Sequence, residues 1–308
     1  MSAPRRRSWF AERDGTLGDV LAALGEDAAG AVRDGRVFIG RTRARDAKMR
    51  VAKGTRVDVT AASAEDNGAP RPRARVVELG RTADWIAVDK PAGVPTIADQ
   101  ASASDCLHAW VAAHVGRETR DVHPTSRLDR DVSGVVTFAL TAHGRDTLLA
   151  AREAGQYERR YIALAHCVHN ARDFEARGVW DAPIGRAASP LLRAAHGREA
   201  KVARSEYAVL SNAAPYLALE VFPRTGRTHQ IRVHCAHAGA PLLGDASYGG
   251  PRSATTASGR VVGFDRIFLH AHEVRVAGAH YVSPLPAAMS DAWRALTGSD
   301  LTAVARAR

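Results

Sequence analysis

The sequence predicts an α+β protein: a mixed, largely antiparallel sheet flanked by helices, preceded by a small N-terminal α/β module. Three observations predict it. The chain has 308 residues, room for two domains. A stretch of Ala, Ser, Asn, Gly, Pro and Arg, with Pro70 and Pro72 close together, has linker composition. Beyond it, strand-like segments outnumber helical ones and are joined mostly by loops and single helices. The expected divisions are a module at 1–62, a linker at 63–80 and a larger domain at 81–308.

In the module, Thr16 followed by Asp19 has the form of a capping box. Leu17, Val20, Leu21 and Leu24 make a helical apolar stripe, stopped by Gly25. A second short helix runs to Arg33. Asp34 to Gly40 reads as a turn into a strand. A basic stretch covers Arg41 to Arg50, and Lys53-Gly54 turns into a closing strand through Val59.

The larger domain opens with a buried strand, Trp85 to Val88. Lys90-Pro91-Ala92-Gly93-Val94-Pro95 then fixes the backbone tightly. Lys90 either touches a phosphate or caps the strand end in solvent. A helix follows with Ser104 as N-cap, Leu107, Trp110 and Val111 as its apolar face and Gly116 as its stop. Next comes a dense charged loop, Ser126-Arg127-Leu128-Asp129-Arg130-Asp131-Val132-Ser133-Gly134, leading into the apolar run Val135 to Leu140. A carboxylate beside two guanidiniums stays ionised, because opposite charge favours its charged form. Alone, this loop reads equally as a surface turn with local ion pairs.

Thr141 caps a helix through Leu148 and Leu149 to Gly155, and Tyr157 to Ala165 returns to strand. Tyr161 there serves packing or chemistry. Residues 170–200 read as loop-rich. Tyr207 to Leu210 and Leu217 to Phe222 are further strands. The second dense stretch runs from Pro223 to Gly239, with Thr228 as N-cap and Gly239 as the residue after the helix. Ile231, Cys235 and Ala238 share one face, and Arg232 stands near the helix start. Arg224 and Arg227 beside a helix N-terminus offer a phosphate site, or solvate the turn. His234 and His237 are three residues apart, as metal ligands can be. No glutamate stands where a zinc hydrolase needs one, and no Cys-x-x-Cys exists, so satisfied helix histidines are the expectation.

A net charge of +10 favours a polyanionic partner, most simply nucleic acid, although Arg-rich coding gives the same surplus. Three cysteines without paired spacing argue against a disulfide framework. No apolar run approaches the ~20 residues of a membrane span, and the first residues lack the apolar core of a secretory signal. The expected location is cytoplasmic, with no membrane partner.

Five segments stand in a specific order. They are Lys90-Pro91-Ala92-Gly93; Arg127-Leu128-Asp129-Arg130-Asp131-Val132-Ser133-Gly134; Arg159-Arg160-Tyr161-Ile162-Ala163; Gly226-Arg227-Thr228-His229-Gln230-Ile231-Arg232 running on to Gly244-Asp245-Ala246-Ser247-Tyr248-Gly249; and Leu269-His270-Ala271. This order resembles the RluA-type pseudouridine synthases over about residues 83–290. The N-terminal order resembles the small RNA-binding domain of the fourth small-subunit ribosomal protein, an appendage this family often carries. The resemblance implies isomerisation of uridine in RNA to pseudouridine without cofactor or metal, on a base flipped out of its stack. It makes Asp129 the catalytic carboxylate and Arg232 its partner. Tyr161 lies against the uracil, Arg127 takes the flipped base's place, and Leu269 is an apolar wall. Arg227 and Lys90 are further candidates for RNA contact. Asp131, the competing carboxylate, is expected to pair with an arginine. The family usually has His where Ser126 stands, Thr where Val132 stands and Lys where Arg159 stands. The expected partner is RNA, large-subunit ribosomal RNA ahead of transfer RNA, with the protein a monomer. The alternatives are a catalytically inactive RNA-binding relic of the same fold and a metal-dependent hydrolase using the histidines.

Overall fold

A computed structural model of the chain describes residues 6–23, 28–33, 37–39, 42–44, 46–60, 76–98, 106–168, 171, 174–189, 191–256 and 258–306. The chain forms two compact units, Met1–Ala74 and Arg75–Arg308.

The first unit contains, in chain order, β1 (Arg6–Phe10), β2 (Gly15–Thr16), α1 (Leu17–Ala23), α2 (Ala28–Arg33), β3 (Val37–Ile39), β4 (Thr42–Arg43), β5 (Arg50–Val51) and β6 (Arg56–Thr60). Four strands make an antiparallel sheet in the order β1-β6-β3-β4. Thr16 and Asp19 form the expected capping box. The Thr16 amide donates to the Asp19 carboxylate at 2.8 Å, and the Asp19 amide donates to the Thr16 hydroxyl at 3.2 Å. Leu17 and Leu21 of that helix close over Val37, Val57 and Val59 of the sheet. The turn before β6 uses Gly54 at φ +81°, where only glycine is unstrained. The Leu24-Gly25 helix stop and the Asp34 to Arg36 turn lie outside the described residues.

The second unit runs β7 (Val77–Arg81), β8 (Trp85–Lys90), α3 (Leu107–His114), β9 (His123–Pro124), β10 (Ser133–Ala139), α4 (Ala142–Glu153), β11 (Glu158–His166), β12 (Arg177–Trp180), β13 (Ile184–Arg186), β14 (Arg193–Ala195), β15 (Arg198–Lys201), β16 (Ser205–Ala213), β17 (Tyr216–Pro223), α5 (Gln230–His237), β18 (Ser253–Thr255), β19 (Val261–Gly263), β20 (Leu269–Val276), β21 (Ala279–Val282), α6 (Ala287–Thr297) and α7 (Leu301–Arg306). Its main sheet has the order β12-β16-β17-β11-β20-β10-β8-β7, with β21 on β20 and β9 on β10. Among the described residues only β10 and β20 pair in parallel, so the sheet is mixed and largely antiparallel. Both faces are covered. Along β11, Tyr161, Ala163 and Ala165 meet Ile231 and Cys235 of α5, while Ile162 and Leu164 meet Met289 and Trp293 of α6. Burial on both faces explains why this strand reads as a continuous apolar run. No helix among the described residues is long and apolar enough to cross a membrane.

Thr141 caps α4 as expected, its hydroxyl accepting the Gly144 amide at 3.0 Å and donating to Asp84 at 2.6 Å. Gly116, Gly155 and Gly239 follow their helices at positive φ. The expected cap Ser104 lies outside the described residues, and Cys106 occupies the N-cap position of α3.

Two expectations are corrected. The segment 170–200 holds four short strands, β12 to β15, in place of a loop. Their residues are mostly Arg, Gly, Ala and Glu and, apart from Ile184 and Gly185 of β13, partly or fully exposed, so no apolar alternation marks them. The linker expected to 80 is cut short by β7, which pairs with β8; residues 63–75 of it lie outside the described residues.

Candidate active site

The charged loop Ser126–Gly134 hangs between β9 and β10 and forms one wall of a cleft of about 540 Å³. Gly134 ends the loop at φ +116°, packed so closely on Ala271 of β20 that any Cβ would collide with the Ala271 backbone. The loop is pinned on both sides of Asp129. The Thr96 hydroxyl donates to the Leu128 carbonyl at 2.9 Å and accepts the Leu128 amide at 3.1 Å. Lys90 donates from Nζ to the carbonyls of Pro91, Val94 and Arg130, at 2.9, 2.5 and 2.9 Å.

Lys90 therefore corrects the sequence expectation. It is fully buried, with its pKa pushed down by burial to about 7, and its ammonium is spent on backbone carbonyls and turned away from solvent. Its work is to tie the Pro91–Val94 turn to the Asp129 loop. Ser126, the departure from the family pattern, is buried too. Its hydroxyl accepts the Thr137 amide at 3.1 Å, inside a cluster with Thr125 and Tyr157. That position is scaffold in this chain.

Arg232 of α5 reaches Asp129, its Nη1 donating to Oδ2 at 2.9 Å. Its other edge is held by Asp245, with Nε at 2.7 Å and Nη2 at 2.9 Å, a bidentate fork. Burial opposes the charge of Arg232, but the two carboxylates more than offset it, and its pKa is raised. The Tyr248 ring lies 4.9 Å from the Arg232 guanidinium carbon, and its hydroxyl bonds His229 Nδ1 at 2.8 Å. His229 Nε2 stands 3.8 Å from Asp129. Burial lowers the pKa of His229, which keeps it neutral near pH 7.

Tyr161, Leu269, Ile231 and Val132 are buried against this group, and each lines the cleft with Asp129. Burial pushes the Tyr161 phenol up, so it is protonated at neutral pH. The pairing of β11 with β20 carries a bulge between Arg160 and Tyr161, where the strand passes the cleft. The floor is apolar and the rim is charged. Arg127 and Arg227 lie on that rim, both exposed. The fold thus brings together Asp129, Arg232, Tyr161, Leu269, Arg127 and Arg227.

Two other expectations fail, for Arg224 and Thr228. Arg224 is taken by Glu206 at 2.7 Å and does not line the cleft. Thr228 is not the cap of α5. His229 takes the left-handed conformation (φ +59°) at that place, and the Gln230 side chain accepts the Arg227 amide at 2.9 Å. Asp131 is exposed; its charge acts on Lys90 and Arg266, not on Arg232. His234 is held by Ser205 and the Ala182 carbonyl, each at 3.0 Å. Among the described residues no group of three or more His, Cys, Asp or Glu is arranged to hold a metal. Asp245, Tyr248 and Thr96 went unassigned in the sequence. Asp245 and Tyr248 stood in the Gly244–Gly249 segment, the only signal they gave.

Residues 84–237 match the family model described as RNA pseudouridylate synthase. The chain is 30% identical over 272 residues to a ribosomal large subunit pseudouridine synthase D of Nitrosomonas europaea, covering 84% of this chain and 76% of that protein. It is 38% identical over 167 residues to an uncharacterized RNA pseudouridine synthase of Chloroflexus aurantiacus, covering 52% of this chain and 49% of that one. Against that second relative the chain spans about half the length. Among solved structures, human RNA pseudouridylate synthase domain containing 4 superposes with a TM-score of 0.56 at 21% identity, over 71% of this chain and 92% of that one, a likeness of fold.

Proposed function

The chain belongs to the RNA pseudouridylate synthase family, and from that premise we propose that it isomerises specific uridines of structured RNA to pseudouridine, with Asp129 as its catalytic carboxylate. The observation that carries this reading is the Arg232–Asp129 ion pair of 2.9 Å at the mouth of a cleft floored by Tyr161 and Leu269.

A target uridine leaves its stack and enters the cleft. Arg127, exposed on the rim, fills the gap it leaves. The uracil lies between the Tyr161 ring and the Leu269 side chain. Asp129 acts as the carboxylate, oriented by Arg232, which Asp245 in turn holds in place. The bond from the sugar to nitrogen 1 breaks, the uracil turns in place, and a bond to carbon 5 forms. The carbon 5 proton is lost and nitrogen 1 gains one, so the reaction is balanced without a cofactor. Tyr161 lies against the ring where the carbon 5 proton is lost, and that proton passes on to water. Large-subunit ribosomal RNA is the leading substrate and transfer RNA the second. The relative named for the large ribosomal subunit favours the first, and the net charge of +10 suits either RNA. The N-terminal unit serves as an RNA-binding appendage.

Mapping pseudouridines in total RNA from cells with and without this protein tests the reading. One or a few sites, in large-subunit ribosomal RNA, should disappear without it. An unchanged map would overturn it.

A further inference from the structure

The rim of the cleft carries more positive charge than the Asp129 pair uses. Besides Arg127 and Arg227, it includes Arg152 from the last turn of α4 and Arg159 from β11. Arg152 was not singled out by any motif. Its Nη1 donates to the Thr125 carbonyl at 2.9 Å, and its guanidinium carbon lies 5.3 Å from the centroid of the Tyr157 ring. That bond uses one of five guanidinium donors, and among the described residues the others have no hydrogen-bond partner. Arg159 donates from Nη2 to the carbonyls of Pro223 and Thr225, at 3.0 and 2.8 Å, while its buried Nε has no partner.

No carboxylate lies within 4 Å of Arg127, Arg152 or Arg159 among the described residues. Asp129, the carboxylate lining the cleft, is committed to Arg232. Arg152 is exposed on the rim, and partial desolvation and the like charges of Arg159 and Arg127 work against its charge. Such a cluster is stabilised by an anion brought from outside. A cleft of about 540 Å³ admits one flipped nucleotide with its flanking phosphates and excludes a paired duplex.

We infer that Arg152, backed by Arg159, is the binding site for an RNA backbone phosphate flanking the target uridine. The inference rests on the proposed function for the identity of the polyanion. It gives α4, otherwise a packing helix, a part in substrate binding. It also places the strand, with a phosphate on the Arg152 wall and others near Arg227.

The test measures binding and turnover on an unmodified transcript carrying the uridine that the mapping assigns, over a series of salt concentrations. Arg152→Gln should weaken Kd and raise KM about tenfold with kcat within twofold. It should also lower the slope of log Kd against log salt by about 0.7, the loss of one single-strand phosphate contact. Arg152→Lys should recover most of that slope, and Arg145→Gln, on the same helix and away from the cleft, should match wild type. A methylphosphonate at the contacted linkage should weaken wild type and leave Arg152→Gln no worse. Unchanged Kd and slope in Arg152→Gln would overturn the inference. So would a fall in kcat alone, which would make Arg152 a prop for Thr125. A slope change in a protein that makes no pseudouridine would keep the phosphate site and overturn the catalytic reading.

Discussion

Arg232 and Arg160 each bridge two carboxylates from the core of the same unit. Arg232 holds Asp129 and Asp245; Arg160, on β11, holds Glu220 of β17 and Glu273 of β20. Both guanidiniums are buried, with 8% and 12% of the side chain exposed. The difference lies in the carboxylates. Glu220 and Glu273 are 5% and 15% exposed, and both come from strands that flank β11. That cluster is a cross-strand ion network that joins three strands. Asp129 is 27% exposed and comes from a loop, while Asp245 behind it is 1% exposed. One carboxylate anchors the arginine and the other is presented to the cleft beside Tyr161 and Leu269. A buried arginine bridge is thus not by itself a site. An asymmetric bridge, with one arm fixed and one arm open, is.

The comparison can be broken by substitution. Arg232→Met should lose at least about 10³-fold in turnover, because it removes the charge that orients Asp129, and should also cost about 3–5 kcal/mol of stability by stranding Asp245. Turnover on the mapped RNA and a denaturant titration read the two effects. Asp245→Asn keeps the shape and weakens the anchor, so kcat should fall about 10–100-fold with KM little changed. Arg160→Met should cost about 3 kcal/mol by removing the charge that bridges two largely buried glutamates, yet keep kcat within a factor of about two below its melting temperature. If Arg160→Met were as inactive as Arg232→Met while folded, the two clusters would not differ as argued.

The smallest effect concerns pH. Burial holds His270 down to about 3, and it bonds Ser133 at the end of the Asp129 loop at 2.7 Å. Its unfolded value is near 6.5, so between about 6.5 and 3 the unfolded chain binds more protons. The stability this residue contributes is complete above about pH 6.5 and is lost as pH falls toward 3. At pH 5.5 the loss should be about 1 kcal/mol. Melting curves of wild type and His270→Gln at pH 7.5 and 5.5 should show the smaller drop in the variant.

Much of this was legible in the sequence, for physical reasons that differ by residue. The apolar runs of β8, β10, β11 and β17 are buried strands whose composition announces them. The Asp129 loop and the Arg232 helix showed as dense motifs, although the fold alone sets them 2.9 Å apart across 103 residues of chain. Lys90 was misread because its three acceptors are backbone carbonyls, one of them 40 residues away, and backbone carbonyls leave no mark on a sequence. Arg224 was misread because its partner Glu206 sits on the neighbouring strand. Strands β13 to β15 give no sequence signal because they are three or four residues long, mostly charged and small, with a single buried aliphatic, Ile184, among them. Arg152 sat in the helical pattern of α4 with nothing to distinguish it from a solvent-facing arginine.

The most direct measurement compares Asp129→Asn with wild type on the mapped RNA, scoring pseudouridine formed and RNA bound in the same samples. The substitution keeps the shape of the side chain, and a neutral acceptor for Arg232, while removing the charge. The account predicts no detectable pseudouridine with RNA affinity within about threefold of wild type, since the rim arginines that meet phosphate are untouched. Pseudouridine formed at the wild-type rate by Asp129→Asn would contradict it.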